Sequence, residues 1–468
     1  MISFIADRQT TVLATQFHGE LIYPGDASYD TARGVWNGMI DRRPALIARC
    51  ANVADVQTAV NFARETGWPL SVRGGGHNVA GHAVNDGGIV IDLSRMNSVT
   101  VDVEKRLAYA GGGATIADLD QATQRFGLAT PMGVVSETGV AGLTLGGGLG
   151  HLRNKYGLSA DNLVGATVVT ADGQIVHASE RENRDLLWGL RGGGGNFGIV
   201  TTFVYKLYPV GPEVYFTAVF HHGSKAKAGL QLYRDFTAIA PDDVSVLAFL
   251  GIVPDGAEPF PEAVHGQPFV AFVGMYAGDA EEGESVMQPL RDLTSAPLAD
   301  FSGAMPYLAA QQFFDEDYPA GEMRYYWKSL NLLSLEDDAI ERIIDHAYRQ
   351  PSQHSTTDLW HIGGRLKRLN GDHAAFYGRH AAFVLNPEAN WEHAEDDEAN
   401  VSWARNFVEA MADFSDGSRY LNFPGFQEEG DAMMQTSFGS QYQRLAALKQ
   451  KYDPMNLFRL NQNIKPRE

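Results

Sequence analysis

Arg73-Gly74-Gly75-Gly76-His77-Asn78-Val79-Ala80-Gly81-His82 follows the short apolar run Leu70-Ser71-Val72, and the reading of this chain turns on it. Its four glycines let the backbone turn sharply and come close to another molecule. Successive backbone N–H groups in such a turn form a concave anion site, suited to a pyrophosphate. An imidazole inside that cradle touches whatever the cradle holds. A second run, Gly139-Val140-Ala141-Gly142-Leu143-Thr144-Leu145-Gly146-Gly147-Gly148-Leu149-Gly150, reads as the facing wall of the same site. Neither run fits the dinucleotide fingerprint, which needs strand, G-x-G-x-x-G and helix in one unit. Gly87-Gly88-Ile89-Val90-Ile91-Asp92-Leu93 comes next, so the first run is a loop between strands.

The chain has 468 residues, too many for one ordinary core, which predicts two or three domains. A net charge of −20 argues against nucleic acid or an anionic membrane as a partner and reads as a soluble surface. There is no run of 18 apolar residues, so no membrane span is expected. The start, Met1-Ile2-Ser3-Phe4-Ile5-Ala6-Asp7-Arg8, lacks the basic and apolar regions of a secretion signal, which predicts a cytoplasmic protein. Cys50 is the only cysteine, which excludes an internal disulfide and reads as a small core residue. His354, His361, His373 and His380 are irregularly spaced, so no metal site is expected.

Along the first half, helical and strand patterns alternate. Strands are expected at 46–50, 70–72 and 89–93, and a helix capped by Asn52 at 53–66. A capping box at Thr115 opens a helix to about Phe126, and Ala171-Asp172-Gly173 joins a hairpin. A short helix at 185–190 ends in Gly192-Gly193-Gly194-Gly195-Asn196-Phe197-Gly198, before a strand at 199–208. Pro209 to Pro212 marks a shift in composition. Aromatic strands follow at 214–220, 244–250, 269–275, 324–327, 359–362 and 381–385, with a helix at 335–348. That pattern predicts an antiparallel sheet covered by helices on one side, and an α+β protein overall. The last stretch, Tyr452 to Ile464, is too patterned for a frayed tail.

Four segments together resemble one family, the berberine-bridge-enzyme-like branch of the vanillyl-alcohol oxidase superfamily. They are Arg73 to His77; Thr138 to Gly150 with the following Lys155-Tyr156-Gly157-Leu158-Ser159-Ala160-Asp161-Asn162; Arg191 to Val200; and Tyr452 to Ile464. The resemblance implies a two-domain PCMH-type FAD-binding fold. Residues 1–208 and 421–468 would form the FAD domain, and 209–420 an inserted substrate domain. It implies FAD bound covalently through its 8α-methyl by His77. Many relatives add a cysteinyl link, but here that position is Val135, so a single link is expected. By the same transfer Arg73, Gly74, Gly75, Gly76, Asn78 and Gly81 line the cofactor, and His82 reads either as part of that loop or as a hydrogen-bonded structural histidine. Val134, Thr138, Gly139, Gly142, Gly148 and Leu152 continue the groove. Ile199 and Val200 approach the adenine side, while Asn461 and Asn463 approach the ring. Asp161-Asn162 reads equally as a loop turn or as support for the cofactor.

Relatives that oxidise alcohols often use a tyrosine from a Tyr-x-Asn-Tyr segment. Here it reads Tyr420-Leu421-Asn422-Phe423, and the second phenol is missing. A further tyrosine of many relatives is replaced by Leu149. These departures weigh against a tyrosinate base and towards amine-type or unusual chemistry. Strand alternation puts Asp358 and Trp360 on one face and His361 on the other. Asp358 is the expected base, its alternative being a solvated strand-end carboxylate. Tyr420 and Asn422 are expected to hydrogen-bond substrate or ring. One of Tyr325 and Tyr326 should face the pocket, and Tyr326 joins the catalytic set. Arg379 resembles a structural or flavin-proximal arginine of the family. The implied activity is an FAD-dependent oxidase acting on a CH–OH or CH–NH centre of a small, partly aromatic molecule. Hydride would pass to flavin N5 and O₂ would be reduced to H₂O₂. The alternatives are a tailoring enzyme that oxygenates or cyclises its substrate, and a non-catalytic flavin-binding protein. A monomer or homodimer is expected.

Overall fold

A computed structural model describes residues 13–426 and 430–467; the N-terminal stretch read for targeting lies outside them. Near the start, a mixed sheet runs in the order Glu20–Ile22, Leu46–Arg49, Ile89–Asp92, Leu70–Arg73. The last three strands are parallel, because the helix Val53–Thr66 carries the chain back between the strands at 46 and 70. Asn52 caps that helix, accepting from the Asp55 amide at 3.1 Å. Gly67, at φ 71°, ends it in the left-handed conformation. Five antiparallel strands follow, in the order Val99–Asp102, Leu107–Gly111, Ile199–Lys206, Leu163–Val169, Ile175–Ser179. The Thr115 capping box forms as expected, although its helix, Ile116–Gln124, stops two residues short of Phe126. The second glycine run is not all loop, for Val140–Gly146 is helical.

Residues 213–391 build one nine-stranded antiparallel sheet. The helices Ala226–Ile239, Asp337–Ala347 and Asp397–Ala410 bury Leu230, Ile340 and Phe407 in one apolar cluster with the sheet residues Val246, Leu359 and Trp391. Alternate residues of the same strands, among them Leu247, Phe249, Trp327 and Trp360, belong to a second cluster with Trp36, Val135 and Leu149. The sheet is therefore covered by helices on one face and by the first half of the chain on the other. The tail packs back into the five-stranded sheet's core, where Leu445, Leu448 and Ile464 cluster with Phe197 and Phe203. Lys449, fully buried, fastens it by donating to the carbonyls of Asn196 and Phe458 and to Asp453.

Candidate functional site

A deep cavity opens where the two halves meet. Its floor is backbone: Gly74, Gly75 and Gly76 from the loop after Leu70–Arg73, Gly139 and Gly142 at the start of Val140–Gly146, and Gly192 to Gly195. The two glycine walls touch so closely that a Cβ on Gly75 would stand 2.4 Å from the Gly139 nitrogen. The expected lining residues His77, Asn78, His82, Val134, Val135, Thr138, Ile199, Val200 and Asn461 are all present.

His77 is half-buried, and its Nε2, enclosed from solvent, has no hydrogen-bond partner in the protein. Burial pushes its pKa down to about 3, so the ring is neutral at physiological pH. Trp36 lies flat against it, with centroids 4.3 Å apart, and stacks at 3.7 Å on Tyr325 beyond. His82 Nε2, Asn461 Oδ1 and Gln462 Nε2 are likewise buried at the cavity without a protein partner. An unsatisfied buried polar atom costs ~1–3 kcal/mol, so this wall is built for a polar ligand. Glycine walls, a neutral imidazole and orphaned donors and acceptors suit the pyrophosphate and ring system of FAD.

The opposite wall belongs to the nine-stranded sheet. Asp358 and Trp360 face the cavity, and His361 turns to the other side, as alternation predicted. Asp358 is not a solvated strand-end carboxylate: it is 2% exposed, accepts from the Thr356 hydroxyl at 3.0 Å and hydrogen-bonds Glu388 on the next strand. Glu388, also 2% exposed, accepts from Tyr318 Oη at 2.8 Å and from Asn386 Nδ2 at 2.5 Å. Burial and mutual repulsion push the Asp358 pKa well above the carboxylate range, and burial lifts Glu388 to about 7. The pair thus keeps at least one proton near neutrality. Sequence reasoning missed Glu388. It becomes legible only in the register that sets Thr356 opposite Glu388, leaving Asp358 diagonal to it on the same face.

Tyr420 and Asn422 line the cavity as expected. The Tyr420 oxygen accepts from the amides of Gly148 (3.0 Å) and Leu149 (3.2 Å) and from Asn422 Nδ2 (2.9 Å). Donors thus surround the phenol oxygen on three sides. Phe249, Phe314, Tyr318, Trp327 and Phe423 complete an aromatic enclosure.

Several expected site residues fall outside the lining. Tyr326 is the clearest correction. It sits on the helix-covered face of its strand, with Arg405 Nε donating to its hydroxyl at 3.1 Å, and the ring in the cavity is that of Trp327. Arg73 points back to donate to the Ala32 carbonyl at 2.6 Å. Gly81 packs against Ile40, where a Cβ would meet Cγ1 at 2.7 Å. Gly148 supports Tyr420 and backs on Ser159 instead of lining the cavity. Leu152 is buried in the apolar cluster beneath. Asn463 lies one residue past the lining, where the Ile464 amide is tied to Asn196 Oδ1 at 2.9 Å. Asp161 and Arg379 form a buried ion pair, and Asn162 Nδ2 donates to the carbonyls of Tyr156 and Leu158, so this motif is scaffold.

Residues 44–179 match the family model for an FAD binding domain, and residues 419–465 the model described as berberine and berberine like. An FAD-linked oxidoreductase of Dictyostelium discoideum is 30% identical over 433 residues, covering 92% of this chain and 91% of that one. The chain belongs to the berberine-bridge-like FAD-linked oxidoreductases. This oxidoreductase is also 45% identical to (R)-6-hydroxynicotine oxidase of Paenarthrobacter nicotinovorans over 204 residues, 44% of each chain. The crystal structure of 6-hydroxy-D-nicotine oxidase from Arthrobacter nicotinovorans superposes with a TM-score of 0.85 at 31% identity, covering 96% of this chain and 98% of that one. The α+β, PCMH-type fold and FAD as cofactor follow from this membership.

Proposed function

We propose that this FAD-linked oxidoreductase is an oxidase holding its flavin covalently through His77 alone. It oxidises a CH–OH or CH–NH centre of a small, partly aromatic molecule. The observation that carries the reading is the neutral His77 imidazole inside the glycine cradle, with its Nε2 left without a partner. A neutral imidazole keeps the lone pair that a nucleophile needs. Trp36 holds the ring in one plane. No thiol competes, since Val135 lines the cavity where many relatives carry a cysteine, while Cys50 is fully buried with its Sγ directed to the Ala48 carbonyl.

Bound FAD supplies a two-electron acceptor that takes a hydride from carbon and passes both electrons to O₂, giving H₂O₂. The residues facing it handle the proton and the geometry. The Asp358–Glu388 pair takes up the proton that leaves oxygen or nitrogen. Tyr420 borders the cavity, and Asn422 holds that phenol in place by donating to it. The aromatic walls exclude water and favour an apolar substrate body.

The test is acid precipitation of purified protein. Yellow colour should stay with the pellet for the wild type and pass to the supernatant for His77→Ala. Flavin released from the wild type sinks the covalent reading. Anaerobic bleaching by a substrate panel, followed by recovery in air, tests the oxidase reading separately.

A further inference from the structure

Resting on the oxidase reading above, we infer that the substrate is an amine, taken up as its ammonium ion between the Asp358–Glu388 carboxyl pair and the surrounding rings. Two carboxyls hydrogen-bonded to each other in a buried wall cannot both be ionised, so they carry at most one negative charge between them, and a cation beside them favours that charged state. Among the described residues neither forms an ion pair. Their recorded partners are the neutral groups of Thr356, Tyr318 and Asn386. Arg153 lies 5.2 Å over the Trp360 ring, but its nitrogens donate to the carbonyls of Gly150, Val246 and His361. A buried anion without a counter-ion is costly, and a cationic ligand removes that cost. The rings of Tyr318, Trp327 and Trp360 line the same cavity, and aromatic faces attract alkylammonium groups. Independently, Trp360 Nε1 is buried at this wall with no partner, a donor left for an acceptor on the ligand. A polyol needs many hydrogen-bonding groups, whereas these walls are mostly carbon.

The proton step balances. The ammonium gives one N–H proton to the singly charged pair, which becomes neutral, while nitrogen keeps the bonding electrons. When the hydride leaves the adjacent carbon for the flavin with its two electrons, that lone pair closes a C=N bond. The organic product is an iminium cation.

The experiment uses purified holoenzyme under anaerobic conditions. Benzyltrimethylammonium, which has no nitrogen lone pair to drive oxidation, and its neutral isostere neopentylbenzene are titrated against the flavin band and tryptophan fluorescence. The cation should bind at least tenfold tighter, and Glu388→Gln combined with Asp358→Asn should erase that preference while flavin content and circular dichroism stay unchanged. Equal binding, tighter neutral binding or no binding overturns the inference. So does a flavin bleached by benzyl alcohol or cellobiose but not by N-methylbenzylamine, an outcome that leaves the oxidase reading standing. A flavin that dithionite bleaches and air does not restore fails the oxidase reading alone.

Discussion

His77 is held by what surrounds it more than by bonds of its own. Its imidazole is pressed on Trp36, whose indole N–H is tied at 3.0 Å to the Tyr318 carbonyl. Trp36→Ala should therefore leave FAD bound but lower the covalently attached fraction several-fold, and Trp36→Phe should restore most of it; flavin retained by acid-precipitated protein measures both. Glu388 gives a second prediction, with a sign. Its folded pKa of about 7 lies above the unfolded value near 4.5, so the folded state holds the proton more tightly. This contribution is fully present below about pH 4.5 and fades as pH rises through 7, by up to about 3 kcal/mol. Urea unfolding from pH 4.5 to 7.5 should show Glu388→Gln gaining on the wild type as pH rises. At this scale the sequence placed His77 in the glycine cradle, where the structure has it. It failed at Tyr326, because alternation gives two faces without saying which one meets the cavity, and at Glu388, whose meaning depends on a strand it does not belong to.

The loop after Leu70–Arg73 and the start of the helix Val140–Gly146 work as one surface because neither carries a side chain where they meet. A Cβ on Gly139 would stand 2.3 Å from the Gly75 nitrogen, closer than atoms can approach. Gly75→Ala or Gly139→Ala should each force the walls apart, giving protein that purifies colourless and melts several degrees lower; a folded, fully flavinylated variant would refute this. Elements with strong local signals, the Asn52-capped helix and the Thr115 box, were readable because cap chemistry is local. The helix Val140–Gly146 was not. Gly142 and Gly146 lower its intrinsic propensity, and burial of Val140 and Leu145 stabilises it instead.

Across the whole molecule, the order of patterns foretold an alternating first half and an antiparallel second, and the family resemblance foretold the returning tail. It did not show how firmly that tail is fastened. Lys449 and Asp453 are fully buried, 2.6 Å apart, and the lysine also holds the carbonyls of Asn196 and Phe458. Lys449→Met leaves a buried carboxylate unpaired and should cost about 3–5 kcal/mol in denaturant unfolding, with a smaller fraction of the purified protein carrying flavin. The same fastening has a consequence in time. Residues near 75, 140 and 195 are synthesised early, yet Asn461 and Gln462 are needed to finish the wall they share. A ribosome must pass Gln462 before that cavity can close, so a tethered flavin would stamp a molecule as translated through that point and correctly wrapped, and a colourless fraction in a preparation would count the chains that stopped or strayed before it.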